Sequence, residues 1–101
     1  MLEGQLKPLD VAKRILNADT ISSVRQSPFH YRAWMILDRW ALNTPQQLKA
    51  LEAQGEVALL GRLLDQQTAE HEALLGASEM LSTGTTELEV LTMANIATEL
   101  R

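Results

Sequence analysis

The chain contains no cysteine. That removes disulfides, thiolate metal sites and cysteine nucleophiles, and it fits a reducing compartment. Aromatic residues are scarce as well, and none lies outside positions 29 to 40: they are Phe29, Tyr31, Trp34 and Trp40. The five glycines are scattered, so no glycine-rich loop exists to cradle a phosphate. No apolar run approaches the roughly 20 residues that cross a bilayer as a helix. Residues 1–6 have neither the basic start nor the apolar block of a signal peptide. The expectation from these absences is a cytoplasmic protein that makes no membrane contact.

What is present is ordinary globular composition. The chain is 101 residues long, 46% hydrophobic and 22% charged, which suits a single helical domain over residues 1–101 burying about 65% of its unfolded surface. Charge is unevenly placed. Residues 1–50 carry a net +3 and residues 51–101 a net −7, within a total of −4. Such a split implies either complementary faces inside one fold or a surface suited to a charged partner.

Apolar spacing predicts an all-α fold, a compact bundle of four to five helices over about 8–18, 28–42, 45–54, 56–81 and 86–101. Pro8 opens the first, with Val11, Ala12, Ile15 and Leu16 on one face. Residues 19–26 are polar and read as a loop or a single capped turn. Ser27 and Pro28 give a start signal for the second helix, and Asn43 a stop. Thr44 with Gln47 forms a capping-box pattern with Pro45 at the first helical position, and Thr86 with Glu89 forms another. Residues 82–85 break the longest periodic segment. Alternation with β-branched support is nowhere sustained, so no strand is expected.

Two helices carry the most information. In the aromatic helix, Phe29, Ala33, Ile36, Leu37 and Trp40 make one stripe. Tyr31, Met35 and Leu42 make a second on nearly the opposite side, with Trp34 between them. A helix apolar almost all round is buried on several sides or shared across an interface. Its charged residues are Arg32, Asp38 and Arg39. The plain reading is core, and the functional one is a partner surface formed by Tyr31, Trp34, Met35 and Leu42. In the long helix, Leu60, Leu64, Gln67 and His71, continuing through Leu74, Ser78 and Leu81, follow a heptad spacing. That seam predicts packing in a bundle or a dimer, with its polar positions setting register. Asp65, Glu72 and Glu79 form an acidic ridge behind it.

Chemistry-bearing patterns are thin. His71-Glu72 begins like the zinc-protease helix motif, but position 75, where the second histidine belongs, is Leu. His71 is therefore expected in the core, hydrogen-bonded to Gln67 or to a neighbouring helix. No serine lies in a nucleophile-elbow context. No catalytic residue, cofactor site or metal site is expected, and the chain reads as a non-enzyme. Lys13, Arg14, Arg25, Arg32 and Arg39 would form the basic patch of a small DNA-associated regulator. A net charge of −4 and an acidic candidate recognition helix oppose that alternative.

Ala33, Trp34 and Leu37, followed by Ala50, resemble the opening of a tetratricopeptide helix pair. Asp38 and Ala41 depart from that pattern, and nothing repeats 34 residues later. The resemblance implies only an antiparallel helical hairpin. The resulting expectation is a helical protein-binding module (an adaptor, a small chaperone or an inhibitor of a larger protein) that forms a homodimer to cover its two apolar stripes, with a protein partner rather than nucleic acid.

Overall fold

A computed structural model describes residues 8–100. Among them the chain is helical with no strand, as the periodicity predicts. A 3-10 turn at Ala12–Arg14 precedes six α-helices: α1 (Ala18–Val24), α2 (Tyr31–Asn43), α3 (Pro45–Ala53), α4 (Glu56–Leu75), α5 (Ser78–Ser82) and α6 (Glu87–Met93). α2 and α4 form the most extensive helix pair. Ala33, Ile36, Leu37 and Trp40 from α2 and Leu59 and Leu63 from α4 lie at the centre of the main core. Leu74, Val90 and Leu91 form a second, smaller core where α6 packs near the end of α4.

The first predicted helix, 8–18, is replaced by a turn. Asp38, projecting from α2, accepts the Leu9 N–H at 2.8 Å and the Ala12 N–H at 2.9 Å, one on each carboxylate oxygen. Leu9 sits at φ 74°, outside helical space. The apolar face is real, since Ala12 and Leu16 are buried, but a distant carboxylate takes the backbone donors. Helix forms instead over the segment expected to be a loop. Glu52 of α3 accepts the Asn17 N–H at 2.8 Å and the Thr20 hydroxyl at 3.0 Å, and α1 buries Thr20, Ile21 and Val24.

α2 begins at Tyr31 rather than at residue 28. Gln67 of α4 donates to the Pro28 carbonyl and accepts the His30 N–H, both at 3.2 Å, so those groups serve a tertiary clamp. His30 becomes the N-cap, its Nδ1 accepting the Arg32 N–H. The Thr44 capping box does not form, because the Thr44 hydroxyl points back and donates to the Trp40 carbonyl at 3.2 Å. Pro45 still opens α3. The Thr86–Glu89 box does form, with both reciprocal bonds in place.

The long helix stops at Leu75 and not at residue 81. The chain turns at Gly76, a poor helix former, and α5 brings Met80 and Leu81 against the second core. The last helix, expected to reach residue 101, ends at Met93. Asn95 adopts φ 62° while its N–H bonds Thr92 O and the Ile96 N–H bonds Leu91 O. That is the Schellman pattern, closed by Ile96 packing on the same small core as Leu91. Beyond it, residues 96–100 return without helix toward α2, α3 and α4.

Candidate interaction site

The charged residues of α2 face inward and its second apolar stripe faces outward. Arg32, Asp38 and Arg39 are each half-buried and engaged by other elements. Tyr31, Met35 and Leu42 are 58%, 40% and 71% exposed. The spacing of these three at four and seven residues places them on one side of the helix. Trp34 is half-buried instead: its Nε1–H donates to the Val24 carbonyl at 2.7 Å, tying α2 to the end of α1, and its ring meets Tyr31 edge to face at 6.4 Å.

Behind that surface lies a polar network centred on Glu70, which is fully buried. Arg39 grips it with both terminal nitrogens, at 2.6 and 3.4 Å. Gln66 donates to it at 2.6 Å, and Arg32 approaches to 3.9 Å. Arg32 also pairs with Glu87 of α6 at 3.4 Å, and Arg39 with Glu99 at 3.6 Å. A carboxylate can be buried this way only because guanidinium forks and an amide satisfy it. The charge split in the sequence is therefore met partly inside the fold, with first-half arginines on second-half carboxylates.

Between α2 and α6 opens a cleft of about 290 Å³. Ile36 and Leu91 contribute its apolar lining, Met35 and Leu88 its exposed flanks, and Arg32 and Glu87 its charged edge. Leu88 is 61% exposed and Met93, five residues on, is 68% exposed. The charged residues at the cleft, Arg32 and Arg39 with Glu70 and Glu87, are paired with one another, so the cleft offers an apolar surface with a paired charged rim.

The buried face of α4 is Leu59, Leu63, Gln66, Gln67, Glu70 and Leu74. It runs one position ahead of most of the predicted seam. Of the seam residues, Gln67 and Leu74 are buried, Leu60, Leu64 and Leu81 are half-buried, and His71 and Ser78 are exposed. His71 is not a core histidine bonded to Gln67. It stands edge-on to His30 with ring centroids 6.1 Å apart, and Gln67 is occupied by Pro28 and His30. Polar residues on the true buried face disguised it. Leu59, Leu63, Gln66 and Glu70 have heptad-like spacing that becomes visible once buried amides and carboxylates are admitted.

Of the basic patch, Arg32 and Arg39 are committed to the network above. Lys13 pairs with Asp10 at 3.4 Å, while Arg14 and Arg25 are exposed. Asp65, Glu72 and Glu79 are exposed along α4 and α5. Among the described residues no group of three or more His, Asp or Glu side chains is arranged to hold a metal, and no helix is long and apolar enough to cross a membrane. Comparison with protein-family models, curated proteins and solved structures finds no match.

Proposed function

We propose that this chain is a non-enzymatic, helical protein-binding module, an adaptor, small chaperone or inhibitor, whose contact surface is the outer side of α2 with the α2–α6 cleft. The inverted polarity of α2 carries this reading. Its charged residues are used internally while Tyr31, Met35 and Leu42 are left to solvent, and α6 sets Leu88 beside Met35 at the same cleft. Apolar side chains gathered around a groove and rimmed by charge are the usual make-up of a protein contact. Engagement of Arg32 and Arg39 by carboxylates argues against the nucleic-acid alternative, since neither guanidinium is free for phosphates.

Affinity capture from the native host with wild type and with the Met35→Asp, Leu88→Asp double variant tests the reading. A protein held by wild type and lost from the variant supports it. Identical sets of captured proteins from both reject it.

A further inference from the structure

Residues 96–100 lie across α2 and α4 as a strap, and the way they are held has a direct implication. Gln66 Nε2 donates to the Ala97 carbonyl at 2.7 Å. Arg39 Nε and Trp40 Nε1 both donate to the Thr98 carbonyl, at 2.9 and 3.0 Å. Asn43 Nδ2 reaches Glu99 at 3.2 Å, and Leu100 packs on the main core. Among the described residues no main-chain to main-chain hydrogen bond joins residues 97–100 to the rest of the chain. The body thus reads a non-helical backbone through fixed side-chain donors. An acidic side chain and then an aliphatic one follow that backbone.

We propose that this strap is exchangeable, and that the groove formed by Arg39, Trp40 and Gln66 takes the same segment from a second copy of the chain. Donors aimed at carbonyl oxygens do not distinguish their own chain from an identical one, so exchange preserves every contact. The last helical anchor before the strap is the Ile96–Leu91 bond at the end of α6, so the strap can leave its groove without disturbing the small core. Beside it a cavity of about 350 Å³, lined by Leu51, Gln54, Arg62 and Leu100 among others, leaves one flank of the strap loosely covered. Reciprocal exchange closes with two-fold symmetry and leaves neither groove empty. Arg39 borders both this groove and the α2–α6 cleft, but Trp40 and Gln66 line only the groove and Met35 and Leu88 only the cleft, so variants at those residues let the two proposals fail separately.

Trp40 Nε1–H reports groove occupancy. Trp34 Nε1–H, bonded to Val24, reports the integrity of the fold in the same spectrum. An isotopically labelled Glu99→Ala, Leu100→Ala variant, with its strap weakened, is mixed in separate samples with a peptide of residues 95–100 and with an unlabelled Trp40→Phe copy. Each addition is expected to slow hydrogen exchange at Trp40 Nε1–H about tenfold, near the effect of one regained hydrogen bond, while Trp34 stays protected throughout. Wild type should also show a dimer fraction that rises with concentration in sedimentation. If Trp34 loses protection in the double variant, Leu100→Ala alone replaces it. Failure of the unlabelled copy to protect Trp40 overturns the proposal, whether or not the peptide binds, as does a wild-type monomer at hundreds of micromolar.

Discussion

Arg39 and Glu70 form a two-pronged ion pair, 2.6 and 3.4 Å, between the middle of α2 and the buried face of α4, with the carboxylate wholly out of solvent. The same guanidinium holds the Thr98 carbonyl through its Nε. One side chain therefore joins the helix pair at the centre of the fold to the returning C-terminal segment.

Removing that arginine should be costly. Arg39→Met leaves Glu70 buried with Gln66 and a distant Arg32, and is expected to lower unfolding free energy by about 3–5 kcal/mol. Adding Glu70→Met should restore much of it. Urea denaturation of both single variants and the double variant measures the coupling. A double variant no more stable than Arg39→Met would contradict this account.

Trp40 has no solvent exposure and lies under Arg62, whose guanidinium stands 5.2 Å from the ring centroid. Trp40→Ala should cost about 3–5 kcal/mol through the cavity it creates. Trp40→Phe keeps much of the packing and loses the bond to Thr98, a difference of about 1 kcal/mol for the hydrogen bond itself. In a Trp34→Phe background, Trp40 emission should be blue-shifted. A maximum typical of indole in water would contradict its burial.

Gln67 reverses an expectation drawn from its place on the predicted seam. A buried polar residue on a helix seam can often be replaced by Leu with a gain in stability. Here the amide clamps Pro28 and His30, so Gln67→Leu strands a carbonyl and an N–H and should destabilise by about 1–3 kcal/mol. Exchange at the His30 amide should quicken in the same variant. A thermal midpoint above wild type would show that the clamp contributes nothing.

Glu89 gives a pH signature. The Thr86 backbone N–H, and then the Thr86 hydroxyl, hold its carboxylate below the ordinary glutamate value of 4.5. A lowered folded pKa stabilises the folded form above the unfolded pKa, and that contribution fades as pH falls through the folded value. The N-terminus of α6 should therefore loosen only below about pH 4.5, the unfolded value. Thr86→Val should shift the Glu89 midpoint part of the way upward, since the backbone bond remains. Carbon-detected titration of the Glu89 carboxylate checks both statements, and an unchanged midpoint in the variant would count against the hydroxyl's share.

Local rules carried the sequence reading far where the chain decides its own structure. The helical class, the α3 start at Pro45, the Thr86–Glu89 box and the Trp40 stripe all follow from spacing and capping chemistry. Long-range side-chain to backbone bonds defeated it elsewhere. Asp38 and Glu52 redirect residues 9–20 from 26 to 35 positions away, and no local pattern announces them. The proposed contact surface was half legible: the second α2 stripe was visible, but its neighbour Leu88 comes from α6 and is placed by tertiary packing alone. Glu70 and Gln66 were missed because a buried carboxylate and amide look like surface residues until their partners are known.

The separation of the two cores has a consequence for how this chain tolerates change. α4 runs from the main core at Leu63 to the small core at Leu74, and the strap rejoins α4 at Ala97, so α5 and α6 form a side loop pinned at both ends. Its outer turn passes through Gly84 at φ 106°, where a side chain would find open space but a strained backbone. Extra residues added beside that glycine lengthen a closed loop, and each doubling of loop length costs only about 0.6 kcal/mol. The main core and the strap keep all their contacts through such an insertion. This turn is the natural position for an epitope, a fluorophore or an added module, and the place where the chain can acquire new sequence without refashioning its centre.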